Sequence, residues 1–191
     1  ANLRRKKTVL RRVRGLPTEP RLANFIWSPD QTSIAFTNTT FHGVELWVLD
    51  ISGGVVKKIT NANVNANLGD AVNWYQDGKS LLVKLVPGNR EEITDSENVI
   101  PIGPRISSND GKKAQNRTYQ DLLKNRIDEH NFEQLSLSEI YKVNLYGKKT
   151  LWQESDMYRN ISFSPDGEFV MVTKIQKPFS YLVPYSRFPS K

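Results

Sequence analysis

The stretch Phe25-Ile26-Trp27-Ser28-Pro29-Asp30 returns twice along the chain, as Val72-Asn73-Trp74-Tyr75-Gln76-Asp77-Gly78 and as Ile161-Ser162-Phe163-Ser164-Pro165-Asp166-Gly167. Each copy ends an apolar run on an aromatic residue and enters a polar turn. A second apolar run follows: Ile34-Ala35-Phe36, Leu81-Leu82-Val83 or Phe169-Val170-Met171-Val172. Two apolar runs joined by so short a polar turn spell a β-hairpin. A hairpin that recurs at this period points to a bladed, all-β architecture.

Outward from the first copy, Val44-Glu45-Leu46-Trp47-Val48-Leu49-Asp50 alternates with a strand period. It turns at Ser52-Gly53-Gly54 and leads into Val55-Val56-Lys57-Lys58-Ile59-Thr60. Four strands then complete one antiparallel blade over residues 21–61. A second blade, residues 62–154, closes the same way with Glu139-Ile140-Tyr141-Lys142-Val143-Asn144-Leu145, Gly147 and Lys148-Lys149-Thr150-Leu151-Trp152. Its third strand arrives late, because roughly 47 residues separate Trp27 from Trp74 but roughly 89 separate Trp74 from Phe163. An insertion at about residues 88–136 accounts for the delay, since Pro87-Gly88, Pro101, Gly103-Pro104 and Asn109-Asp110-Gly111 break any regular pattern there. Within it Thr118-Tyr119-Gln120-Asp121 has the form of a capping box, followed by Leu122, Leu123 and Ile127 on one face, which predicts a short helix at about residues 119–130.

The two ends set the phase. Residues 7–14 resemble the fourth strand Val55 to Thr60, so residues 1–20 read as the last strand of a preceding blade. Residues 155–191 read as a partial blade, with a third strand expected at Ser180-Tyr181-Leu182-Val183-Pro184. The expected fold class is all-β: a partial β-propeller of four-stranded antiparallel blades with one inserted short helix.

Composition narrows the function classes. With 191 residues, 38% of them hydrophobic, the chain is long enough to bury a core. No run of 18 or more apolar residues suits a membrane helix, and the basic N-terminal residues are not followed by the apolar segment of a signal peptide. The absence of cysteine excludes disulfides, zinc–thiolate sites and a cysteine nucleophile. It suits a bacterial periplasmic or secreted setting, which is favoured, and also the cytoplasm. The net charge of +7 comes from 27 Lys and Arg against 20 Asp and Glu, with much of the excess in Arg4, Arg5, Lys6, Lys7, Arg11, Arg12 and Arg14. No stacking aromatics or nucleic-acid motif accompany this cluster, so it suits a solvated edge strand whose charge discourages pairing. Neither nucleic acid nor a membrane is expected as a partner.

Further motifs narrow the fold to a family. Gly15-Leu16-Pro17 precedes Asn24-Phe25-Ile26-Trp27-Ser28-Pro29-Asp30. Gly111-Lys112-Lys113-Ala114 is followed by Arg117-Thr118-Tyr119-Gln120-Asp121-Leu122-Leu123-Lys124-Asn125, and Val183-Pro184 by Arg187-Phe188-Pro189. The Trp-Ser-Pro-Asp and Phe-Ser-Pro-Asp-Gly turns look like those of TolB-like blades. The full set, in this order, resembles the propeller of the prolyl oligopeptidase family of serine peptidases, in its glutamyl endopeptidase-like branch. The resemblance implies a parent polypeptide with an N-terminal propeller and a C-terminal α/β-hydrolase domain carrying a Ser, Asp and His triad.

That triad is not expected within these residues. No G-x-S-x-G occurs; the nearest approach, Gly78-Lys79-Ser80, leads into Leu81-Leu82 on a strand rather than into a strand-to-helix elbow. His42 and His130 are the two histidines, and without cysteine they form no ligand cluster, so neither a metal nor a cofactor is expected. The tryptophans at 27, 47, 74 and 152 fall at repeat-related strand ends where blades pack, which predicts core filling. The insertion is the best functional candidate, since loops this long in compact domains usually carry function or stay disordered. Its Arg105, Lys112, Lys113 and Arg117 are candidate contacts to an acidic substrate side chain, the preference the resemblance suggests. The expected function is a non-catalytic lid that covers the hydrolase domain and filters peptides, the alternative being a free-standing TolB-like module for protein or ligand binding. Open blade edges also predict dimerisation by edge-strand pairing.

Overall fold

The computed structural model describes residues 12–95 and 121–190. Two four-stranded antiparallel sheets are each wound in sequence order. The first blade holds β1 (Leu22–Trp27), β2 (Ser33–Thr40), β3 (Gly43–Asp50) and β4 (Val55–Lys58). The second holds β5 (Val72–Trp74), β6 (Ser80–Leu85), β7 (Ser138–Asn144) and β8 (Lys149–Asp156). A third, two-stranded sheet pairs β9 (Tyr158–Phe163) with β10 (Val170–Lys174). One helix, α1 (Arg126–Ser136), lies between β6 and β7, and a 3-10 turn follows at Tyr185–Arg187. This is the bladed architecture with an inserted helix that the repeat predicts. Among the described residues no helix is long and apolar enough to cross a membrane.

The repeated hairpin owes its shape to its aspartate. In the first copy Asp30 Oδ1 accepts from Ser28 Oγ at 2.6 Å and from the Thr32 amide at 3.1 Å, while Ser28 Oγ accepts from the Ser33 amide at 2.9 Å. The third copy repeats this with Ser164, Asp166 and the Phe169 amide. In the second, Asp77 Oδ1 accepts from the Lys79 and Ser80 amides at 2.8 and 3.2 Å. The serine hydroxyl is the main reason that the Asp30 and Asp166 carboxyls sit below the usual carboxylate range. Each turn then needs one left-handed residue, and Gly78 (φ 61°) and Gly167 (φ 75°) supply it. In the first copy Gln31 adopts the same conformation at φ 59°.

Alternation gives every sheet two faces, and the blades stack through them. Ala35, Leu46 and Val48 of the first blade pack against Val72, Trp74, Leu81, Val83 and Val143 of the second. The opposite face of the second blade presents Leu82 and Ile140 to Tyr158 and Ile161 of the third sheet. Each such fully buried aliphatic side chain contributes about 1.5–3 kcal/mol relative to exposure. Trp74 also donates from Nε1 to the Ile26 carbonyl at 3.1 Å, tying the second blade to the first. Trp47 and Trp152 are partly buried, the latter against the cluster between blades two and three. Trp27 departs from the expected core filling: it is 58% exposed, because Ile26 takes the core side of β1 and its neighbour must point the other way.

Three further particulars differ from the sequence expectation or refine it. The helix starts at Arg126 rather than near residue 119, because Asn125 is the residue that caps it: its Oδ1 accepts from the Ile127 and Asp128 amides at 2.9 and 2.8 Å. Residues 118–120 of the supposed capping box lie outside the described residues. Residues 180–184 form no strand; the chain passes through the 3-10 turn and returns so that Ser190 pairs with Ile175. Arg14 runs parallel to β4, donating to the Gly54 carbonyl at 2.8 Å and accepting from the Val56 amide at 3.0 Å. Residues 1–11, where the leading strand was mostly expected, lie outside the described residues.

The up-and-down strand order puts the β1–β2, β3–β4, β5–β6, β7–β8 and β9–β10 turns at one end of the blades and the tight β2–β3 turn at the other. The described parts of the long connections, residues 59–71, 86–95 with 121–137, and 175–190, meet at that second end. The first of these stitches blades together, since Val64 bridges both Val44 and Leu85.

Candidate functional site

The insertion, the first long connection and the last one enclose a cleft of about 550 Å³ beside α1. Leu68, Leu123, Phe132, Leu135 and Tyr185 give it apolar walls, and Asn67, Asn131, Asp128 and Arg159 bring polar groups.

The position of α1 follows from interactions made at both its ends. Asn125 caps its N-terminus, and the Lys124 amide donates to Asp128 Oδ2 at 2.9 Å. At the C-terminal end, carbonyls left without helical partners are taken up by two asparagines of the first long connection. Asn65 donates to the Leu135 and Leu137 carbonyls at 3.0 and 2.8 Å, and Asn67 donates to Leu135 at 3.1 Å. These belong to the alternating run Asn61-Ala62-Asn63-Val64-Asn65-Ala66-Asn67, a visible signal that residue-type reasoning passed over. From the other side Lys177 pairs with Glu133 at 2.5 Å and Tyr181 donates to Glu129 at 2.7 Å. Phe132 packs edge-on against Phe179 and Phe188 at centroid distances of 5.2 and 5.5 Å.

Lys84 lies beneath the cleft floor. It is fully buried on β6, between apolar Val83 and Leu85, and donates to the carbonyls of Leu68 and Tyr158, the second at 3.2 Å. It thereby joins the first long connection and β9 to the second blade. Burial pulls its pKa down to about 8, opposed by the charge of Asp70. Arg159, at the start of β9, donates to the Phe188 carbonyl at 2.5 Å, to the Ser186 carbonyl and to Ser190 Oγ at 3.2 Å, which fixes the last long connection over the cleft.

The four basic candidates of the insertion, Arg105, Lys112, Lys113 and Arg117, lie outside the described residues. Ser80 is buried at the start of β6 against Asp77, His42 is exposed in the β2–β3 loop, and His130 lies on α1 beside Glu91 and the Glu92 carbonyl. Among the described residues no group of three or more His, Cys, Asp or Glu side chains is placed to hold a metal ion.

Stacked four-stranded blades with all long connections at one end define the chain as a β-propeller segment. The comparisons narrow this further. No family model matches the chain. It is 31% identical over 189 residues to a probable chloroplastic glutamyl endopeptidase of Oryza sativa subsp. japonica. It is 29% identical over 188 residues to the protein of the same name in Arabidopsis thaliana. Both alignments cover 94% of the chain, which spans about a fifth of the length of either relative. Acylaminoacyl peptidase of Pyrococcus horikoshii aligns with 85% of the chain and 22% of its own, at 18% identity and a TM-score of 0.47. The resemblance to the prolyl oligopeptidase-family propeller, in its glutamyl endopeptidase-like branch, is borne out by the two plant relatives.

Proposed function

We propose that the chain is the propeller part of a larger serine peptidase, and that its loop end covers an α/β-hydrolase domain of the same parent chain and admits only peptides slender enough to pass. The gathering of the insertion and both other long connections at one end, in a chain related along 94% of its length to glutamyl endopeptidases, is what supports this reading. On this reading α1 and its asparagine anchors form part of the rim that excludes bulky substrates, and the triad belongs to the hydrolase domain. Arg105, Lys112, Lys113 and Arg117 supply positive charge toward acidic substrate side chains.

Exclusion makes a definite prediction for the full-length protein. Loosening the rim with Asn65→Ala is expected to raise turnover of long or loosely folded substrates several-fold relative to a short peptide. An unchanged ratio counts against the filter. The 191-residue chain alone is expected to leave peptide and ester substrates intact, and turnover sensitive to a serine-directed inhibitor would refute that.

A further inference from the structure

Arg159 is set apart from the other groups of the α1 cleft by an uncompensated charge. Among the described residues no carboxylate lies within ion-pair distance of it. Its three acceptors, two carbonyls and a hydroxyl, are neutral, and they use three of the five N–H donors of a guanidinium. They fix the orientation of the group without cancelling its charge. Asp128, the acid on the same walls, is differently placed. It accepts from the Lys124 amide and sits in the first turn of α1, where the helix N-terminus offsets its charge. Beside these two charged groups the walls combine apolar and aromatic Leu68, Leu123, Phe132, Leu135 and Tyr185 with the neutral polar Asn67 and Asn131, and a volume of about 550 Å³ falls within the range of sites that enclose small ligands.

We propose that this cleft docks an extended peptide segment in which one carboxylate side chain is flanked by apolar ones, with the carboxylate on Arg159 and the apolar side chains on Phe132 and Leu135. Two properties of such a segment match the walls. Alternate side chains of an extended chain point to opposite sides, so an acidic residue meets Arg159 while its neighbours meet α1. A charge-assisted bond to a half-buried, pre-oriented guanidinium is stronger than an exposed pair. Docking at this site requires no catalysis, so its outcome is independent of the peptidase reading.

The test compares binding of Ac-Ala-Leu-Glu-Leu-Ala-NH2 and its Gln counterpart to the 191-residue chain by calorimetry. The Glu peptide is expected to bind about tenfold tighter or better, a difference of about 1.4 kcal/mol. In Arg159→Gln that preference falls to about one while affinity for the Gln peptide is unchanged. Leu135→Ala weakens both peptides by the same factor. Equal affinity of the two peptides for the unaltered chain, binding of neither, or a preference that survives Arg159→Gln overturns the proposal. Because Arg159 also anchors residues 186–190, salt provides a second measurement that needs no variant. The Glu preference must shrink when ionic strength is raised to about 0.5 M, and a salt-independent preference likewise overturns the proposal.

Discussion

Lys84 shows how one residue couples blades and pH. Its ammonium is buried at the meeting of the first long connection, β6 and β9, with carbonyl oxygens for partners and Asp70 as the nearby negative charge. Burial lowers its pKa from 10.5 to about 8. Between those values the unfolded chain binds more protons at this residue than the folded one, so stability rises with pH across the window. Below about pH 8 both states are protonated and the penalty of burying the charge is constant. Chemical denaturation is therefore expected to show stability increasing from pH 8 toward pH 10, by at most about 3 kcal/mol, with the rise missing in Lys84→Met. A rise of equal size in the variant assigns the effect elsewhere. The anomaly was visible in Leu81-Leu82-Val83-Lys84-Leu85, a charge inside an apolar run, but nothing local says which carbonyls it would find. The hairpin aspartates Asp30, Asp77 and Asp166 were legible for the opposite reason, since their partners lie within three residues.

At the scale of elements, α1 depends on anchors distant in sequence. It has no basic residue in its last turn to meet its terminal carbonyls, and Asn65, some 70 residues earlier, supplies two donors instead. Removing them with Asn65→Ala takes away the Leu137 carbonyl's donor and leaves the Leu135 carbonyl to Asn67 alone, at a cost of about 1–3 kcal/mol. Amide exchange in residues 126–136 is expected to accelerate at least as much as in the strands, because the helix opens before the blades do. Protection confined to its former level would mean that the aromatic packing of Phe132 suffices alone. The existence of a helix in the insertion was legible from polar and apolar spacing, but its start was not. Two capping sequences compete there, and the structure starts the helix at Arg126 with Asn125 as its cap, behind a short non-helical stretch at 122–124. The β-strands were read more closely because a period of two with flanking turns fixes their length.

At the scale of the whole molecule, the described residues form a stack of three sheets that exposes apolar side chains on both end sheets. Phe25 and Trp27, 59% and 58% exposed, mark one; Phe169 and Met171, 70% and 65% exposed, mark the other. Apolar surface of this kind favours association, so the 191-residue chain is expected to self-associate as its concentration rises. Trp27→Thr combined with Met171→Thr is expected to weaken that association tenfold or more, on the basis of about 1.5–3 kcal/mol for each large apolar side chain buried. Sedimentation velocity measures it; association that persists in the double variant points to pairing along the exposed edge of β8 instead. By itself the sequence determined the repeat, the four strands of each full blade and the site of the insertion, because alternation and tight-turn chemistry are local and each copy of the hairpin carries its own hydrogen-bond partners. Only the tertiary structure decided that Trp27 faces outward, that Lys84 is buried, and that Asn65 and Arg159 meet α1 across long stretches of chain. Those outcomes depend on which face of each blade meets its neighbour and on donors and acceptors brought together by stacking, and no window of local sequence encodes them.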